Sequence, residues 1–279
     1  MECEICAFRN PKQTATAICI KDGKLLVVKR NQEPFKGKWD FVGGFLNEGE
    51  LPLEALRREI KEELNVNVKR AEFLGDFPGT CSYKEHNFPI ISSTYIVLID
   101  GDIKLNEENS NYDWKNPNEI DIAFDSNEKI LQRMKEMIVP FDEVEELVRQ
   151  LDSSATVDEY NFYIAQLSAG GGSSPGGNGY ISKKYDGEKL IGMGWIFPRQ
   201  TALRKQAVVE DMIVDEKYRG KGYGKDIVLD LIRWAKENGV EVIELTSNPK
   251  RIAANELYKR VGFKLHPTNH YLLDLRSND

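Results

Sequence analysis

Glu59, Glu62 and Glu63 fall within five residues of one another, Arg58 directly precedes the first, and Glu50 lies a little upstream. At 100° per residue, Glu59 and Glu63 stack almost one above the other on a helix, with Glu62 on the adjoining flank. Carboxylates so close repel by about 1 kcal/mol or more unless a positive charge sits among them. Their oxygens are hard donors, which suits Mg²⁺ or Mn²⁺. Arg58 can bridge carboxylates and fix their rotamers. Gly43-Gly44 lets the backbone turn sharply and present carbonyls to the same ion. A second string, "VEDMIVDEKYRGKGYGKDIV" (Val209–Val228), sets Arg219-x-x-Gly222-x-Gly224 between a strand-like and a helix-like run. Such a loop turns backbone N–H groups inward and adds a helix N-terminus, a cradle for a pyrophosphate. Lys221 and Lys225 add positive charge.

Both strings need scaffolds. Leu53, Leu56, Ile60 and Leu64 recur at helical spacing and predict a helix over about 51–64, its buried stripe beside the acids. Before it, "TATAICIKDGKLLVVK" reads as two short strands around an Asp22-Gly23 turn. After it come the strand-like runs "AEFLGDF" and "IISSTYIVLI", an acidic loop around Leu105–Asn118, and a helix at about Ser126–Met137. A second unit starts near Ile138 with two short amphipathic helices, "FDEVEELVRQL" and "VDEYNFYIAQL". The stretch "SAGGGSSPGGNG", 168–179, resembles a flexible linker, either a mobile loop of the second unit or a replacement for another segment. From Lys189 onward the expected order is strand, strand, glycine loop, helix, strand, helix and a final strand, "HYLLDL". The expected domains are therefore 1–137 and 138–279.

The chain of 279 residues is 41% hydrophobic and 30% charged, which fits a globular protein with a real core. Its net charge of −7 leaves neither half with a basic surplus, which argues against nucleic acid as a main partner. No run of about 18 apolar residues predicts a membrane span, and "MECEICAFRN" lacks the pattern of a secretory leader, so a cytoplasmic location is expected. Cys3-x-x-Cys6 has the spacing of half a zinc site, but no second pair follows, and reduced thiols are the weightier reading. Phe35, Trp39, Tyr83 and Phe88 are aromatic enough to stack on a base, although core or rim packing weighs more.

From Gly44, five residues precede Glu50, seven more follow, and then come "REIKEEL" and Asn65-Val66. This string resembles the Nudix box of hydrolases that act on nucleoside diphosphates linked to another moiety. Asn65 stands where that family usually has glycine, and Asn tolerates the left-handed conformation well. The resemblance covers roughly 1–137 and implies an α/β/α sandwich around a mixed sheet. It implies that Glu59, Glu62 and Glu63 bind the divalent ions, supported by Glu50 and Arg58. For the general base it points to Glu63, with Glu107 or Glu108 as alternatives.

The glycine loop together with "SNPKRIAANELYKRVGF" (Ser247–Phe263) resembles the GCN5-related N-acetyltransferases (GNAT) over about 139–279. That resemblance implies a mixed, mostly antiparallel sheet and acetyl-CoA as cofactor. It implies that Met212, Ile213 and Val214 hydrogen-bond the pantetheine arm through their backbones. Arg219, Gly220, Lys221, Gly222, Tyr223, Gly224 and Lys225 would wrap the pyrophosphate, with Asn255 touching the cofactor. Tyr258 matches the acid that protonates the leaving thiolate. Glu210 or Asp211 would bind or deprotonate the amine. The expectation is a bifunctional hydrolase and N-acetyltransferase of a small amine; the alternative is a hydrolase whose second half only senses acetyl-CoA.

Overall fold

Asp22 and Gly23 both take positive φ, 52° and 68°, as a two-residue hairpin requires. The turn joins β2 (Ile20–Lys21) to β3 (Lys24–Arg30), whereas the preceding strand, β1 (Lys12–Ile18), enters a different sheet. The computed structural model describes residues 10–83, 86–169, 179–271 and 273. Cys3, Cys6 and residues 170–178 of the glycine-serine stretch lie outside these.

In the first half, β4 (Trp39–Asp40) pairs with β3, and β5 (Val42–Phe45) pairs with β1. Two long strands, β6 (Asn67–Tyr83) and β7 (His86–Asp100), complete the main sheet in the order β5-β1-β7-β6. β1 and β7 are parallel and the other pairs antiparallel. On one face lies α1 (Pro52–Leu64), whose Ala55, Leu56, Ile60 and Leu64 are buried with Ala15, Ala17 and Val42. Pro at the first helical position suits the start, and Asn65 ends the helix at φ 56°, ψ 26°, the left-handed cap that it was expected to tolerate. On the other face α2 (Asp125–Met137) packs on β6 and β7. The acidic stretch 105–118 is not all loop, because β8 (Asn109–Lys115) pairs with β3 along its length. Its residues are mostly polar and exposed, so it shows no hydrophobic alternation; pairing, not propensity, makes it a strand.

The second half opens with α3 (Phe141–Leu151) and α4 (Glu159–Ala169). Then come β9 (Tyr180–Asp186), β10 (Lys189–Gln200), β11 (Lys205–Val214), α5 (Tyr223–Glu237), β12 (Val242–Leu245) and α6 (Ile252–Arg260). The sheet order is β12-β11-β10-β9, antiparallel except for β11–β12. β9 was not anticipated. The expected strand at 270–275 is absent from its described residues: His270, Tyr271 and Leu273 are exposed and unassigned, and the other three lie outside the described set. A short apolar run becomes a strand only where a neighbouring strand pairs with it. Both expected sheet architectures are otherwise present. Among the described residues no helix is long and apolar enough to cross a membrane.

One buried cluster runs through both halves. It joins Ile18, Leu25, Ile130, Met134 and Met137 to Val144, Leu147, Phe162, Tyr163, Leu190 and Trp195. Polar contacts reinforce it. The Glu159 carboxylate accepts the N–H groups of Asp22 and Gly23, both at 2.8 Å, and the Tyr163 hydroxyl donates to the Val139 carbonyl at 3.1 Å.

Half-buried Lys183 lies at the same seam and donates to the Met137 carbonyl (3.5 Å) and Gln166 Oε1 (3.3 Å). Burial, and secondarily the charge of Arg133, push its pKa down to about 8. The unfolded chain thus binds more protons between about 8 and the ordinary lysine value near 10.4, so stability rises with pH through that window. Lys183→Met is expected to remove this rise and to stabilise the protein at neutral pH by on the order of 1 kcal/mol. Urea melts at pH 7 and pH 10 check it, and an unchanged slope would show that the ammonium stays solvated.

Candidate active sites

The acids of α1 are gathered by a guanidinium. Arg58 Nε and Nη2 donate to the two oxygens of Glu50 at 2.8 and 2.9 Å, and Nη1 donates to Glu59 (2.7 Å) and Glu62 (3.2 Å). Nη2 also reaches the Phe45 carbonyl at 3.0 Å, which ties the helix to the end of β5. Arg58 is held firmly protonated by these carboxylates, and its hydrogen bonds bring Glu50 down to about 2. Burial instead raises Glu59, with the charges of Glu62 and Glu108 adding to it.

Glu63 is placed differently from its neighbours. Only 6% exposed, it faces inward and accepts the Gly43 N–H (3.0 Å) and Asn109 Nδ2–H (2.6 Å). Burial pushes it up to about 8, and the charges of Asp40 and Glu59 act in the same direction. The three expected metal ligands therefore have different surroundings. Among the described residues no group of three or more acidic, histidine or cysteine side chains is arranged to hold an ion. The Arg58 guanidinium is shared by Glu50, Glu59 and Glu62, the bridging role expected of it.

The residues nonetheless suit a hard cation. Two carboxylates already aim at a single positive atom, and a third is buried with a second acid nearby. A Cβ on Gly44 would stand 2.2 Å from Glu59 Oε1, so any larger residue there would displace the carboxylate from its present place. Two participants escaped the sequence reading. Asn109 comes from the unanticipated β8. Asp40 is 6% exposed, bonded to Arg30 Nη1 (2.8 Å), Asn127 Nδ2 (2.6 Å) and the Phe41 N–H, and raised by burial to about 6. An acid inside the apolar run "WDFVGGF" was the available signal for Asp40; Asn109 had none. Phe35 packs edge-on against Phe124, Trp39 lies under Lys29 and Lys115, and Phe88 sits beside Phe45. The Tyr83 side chain lies outside those described.

In the second half, Asp211 takes φ 46°, and Asp211 and Met212 together oppose Gly194, a bulge in β11. The β11–β12 pairing ends at Val209–Leu245. Beyond it, Met212, Ile213 and Val214 have β10 as their only strand partner among the described residues, so their other edge is open to an extended chain. Gly220 and Gly222 have φ of 79° and 96°, and Gly222 caps α5, whose first turn contains Tyr223, Gly224 and Lys225. Arg219 Nε donates to the Val214 carbonyl at 3.0 Å, and Lys221 lies over the Tyr218 ring. These elements bring together an open strand edge, unsatisfied helix N–H groups and cations.

Tyr258, on α6, points at the same edge, with its hydroxyl 3.7 Å from Met212 Sδ; burial raises its pKa, so it remains protonated. Asn255 Nδ2 donates to the Asn248 carbonyl at 3.0 Å. Glu210, raised by burial and then by Asp211, is exposed on β11 opposite Trp195.

Known proteins carry both arrangements. Residues 11–138 match the NUDIX domain model, and residues 141–263 match the acetyltransferase (GNAT) family model. The chain belongs to the Nudix hydrolases through its first half, and its second half is similar to the GNAT acetyltransferases. It is 32% identical over 127 residues to the ADP-ribose pyrophosphatase of Methanocaldococcus jannaschii, 45% of this chain and 73% of that protein. Over 116 residues it is 32% identical to the nucleoside triphosphatase NudI of Escherichia coli, 38% of this chain and 82% of that protein. The uncharacterized N-acetyltransferase YobR of Bacillus subtilis is 33% identical over 89 residues, 32% of this chain and 34% of YobR.

Proposed function

We propose that the protein is bifunctional. Its first half hydrolyses a nucleoside diphosphate-linked substrate with Mg²⁺ or Mn²⁺, and its second half transfers an acetyl group from acetyl-CoA to a small-molecule amine. The observation that carries the first assignment is the Glu50–Arg58–Glu59–Glu62 cluster set beside the buried Glu63 carboxylate. Glu59, Glu62 and Glu63 would hold the divalent ion, which when bound neutralises charge on the attacking and leaving oxygens. Arg58 fixes the rotamers of Glu50, Glu59 and Glu62. Asn109 and the Gly43 N–H orient Glu63, which takes the proton of the attacking water at a carboxylate oxygen. Residues 1–137 and 138–279 are the corresponding domains.

In the second half, the backbones of Met212–Val214 and the 219–225 loop bind the cofactor, with Asn255 nearby. Glu210 takes the amine proton, directly or through water, and Tyr258 gives its hydroxyl proton to the departing thiolate. A screen of ADP-ribose, NADH, sugar nucleotides and nucleoside triphosphates with Mn²⁺, run beside an amine panel with acetyl-CoA, tests both reactions. Cleavage of none of them would end the hydrolase reading. Tyr258→Phe is expected to lower kcat for acetyl transfer by about 10²-fold, with KM for acetyl-CoA unchanged. A rate equal to wild type would make Tyr258 a packing residue; absence of transfer by the wild-type protein itself, with tight acetyl-CoA binding, would favour the sensor alternative.

A further inference from the structure

Three neighbouring strands bring two phenylalanines and a lysine to one end of the first sheet. Phe45 on β5 is in register with Thr14 of β1, two residues from Lys12, and Lys12 is in register with Ile90 of β7, two residues from Phe88. Side chains at such spacings share a face of the sheet. The rings lie 6.1 Å apart, tilted by 46°, and the Lys12 ammonium is 5.7 Å from the Phe45 centroid and 4.7 Å from that of Phe88. Phe45 is 44% exposed, an unusual cost for a ring at a strand end.

Beside this group a cavity of about 600 Å³ is lined by Lys12, Gln13, Phe45, Asn47 and Glu50 among others. That volume is in the range of sites that take nucleotide-sized ligands. The cavity wraps the β5 edge to Glu50, one of the carboxylates gripped by Arg58, and Arg58 also holds the Phe45 carbonyl. The aromatic cradle and the acid cluster thus share walls. The exposed Phe45 ring and the half-buried Phe88 ring beside it offer π-faces, and the ammonium offers donors to ring nitrogens or carbonyl oxygens. An aliphatic or sugar group would use neither.

We infer that Lys12, Phe45 and Phe88 form the subsite for the base of the nucleoside diphosphate substrate, stacking it against the rings while Lys12 donates to its acceptor atoms. This rests on the hydrolase reading of the first half. In this arrangement the base lies at the β5 end of the sheet and the diphosphate extends past Glu50 towards Glu59 and Glu63.

The test uses the full chain with Phe88→Leu, Phe45→Leu and Lys12→Met, which keep apolar volume or stem length. With Mn²⁺, each variant is expected to raise KM for ADP-ribose by about tenfold, with kcat within about twofold of wild type. KM for the base-free substrate phosphoribosyl diphosphate is expected to stay put. Direct titration with AMP, which needs no turnover, is expected to show the same loss of affinity. Unchanged KM for ADP-ribose and unchanged AMP affinity would overturn the cradle while leaving the hydrolase intact, as would an equal rise for the base-free substrate. If the wild-type protein hydrolyses neither compound, the hydrolase reading rests on the wider substrate screen. The AMP titration then decides the cradle alone: weaker AMP binding in the variants supports it, and no measurable or no altered binding overturns it.

Discussion

Glu63→Gln is expected to lower divalent-cation-dependent diphosphate hydrolysis by about 10³-fold while leaving acetyl-CoA binding unchanged. The substitution is nearly isosteric. It keeps an oxygen for the Gly43 N–H or Asn109 Nδ2–H but removes both the charge and the proton acceptor. Because Glu63 is buried and its charged form is disfavoured by its surroundings, the amide is not expected to harm the fold. Diphosphate cleavage across a Mn²⁺ series, followed by its phosphomonoester products, with calorimetric acetyl-CoA binding as the control, separates lost chemistry from lost structure. Full activity would show that Glu63 neither holds the ion nor receives the proton.

Met134→Ala has the second large expected effect, and it reaches beyond its own half. Met134 is fully buried in the cluster that also contains Leu147, Tyr163, Leu190 and Trp195. Truncating such a side chain is expected to cost about 2–5 kcal/mol through lost burial and the cavity left behind. If the cluster is one cooperative core, diphosphate hydrolysis and acetyl-CoA binding are lost at the same urea concentration, in wild type and variant alike. Two separated transitions, only the first moved by Met134→Ala, would mean that the halves fold independently and merely touch.

Much of this could be read from residues alone, for reasons visible in particular places. The α1 stripe, the Asp22-Gly23 turn, the Asn65 cap and the glycines before α5 each obey a local rule, and each is found where that rule puts it. Arg58 reads from the sequence as a bridge between carboxylates, but the division between Glu59 and Glu62 on Arg58 and the inward-facing Glu63 does not. That division depends on the depth of Glu63 in the fold and on Asn109, which arrives from a polar strand without apolar alternation. The common core was equally hidden. Ile130, Met134, Val144 and Leu147 read as ordinary amphipathic faces of two successive helices, and nothing in their spacing says that both face the same neighbours. The bulge at Asp211, which turns β11 so that its open edge meets Tyr258, likewise depends on pairing with β10.

The seam at α2 also has a consequence for how the chain is made. Synthesis runs from the amino end, so Ile130, Met134 and Met137 leave the ribosome well before Leu190 and Trp195, which complete their surroundings, exist. At about 5–20 residues per second, the part of that stripe not covered by β6 and β7 waits several seconds for its remaining partners on every nascent chain. A chaperone that shields helices, or a pause that lets β10 catch up, would govern the yield of active protein more than the finished molecule's stability does.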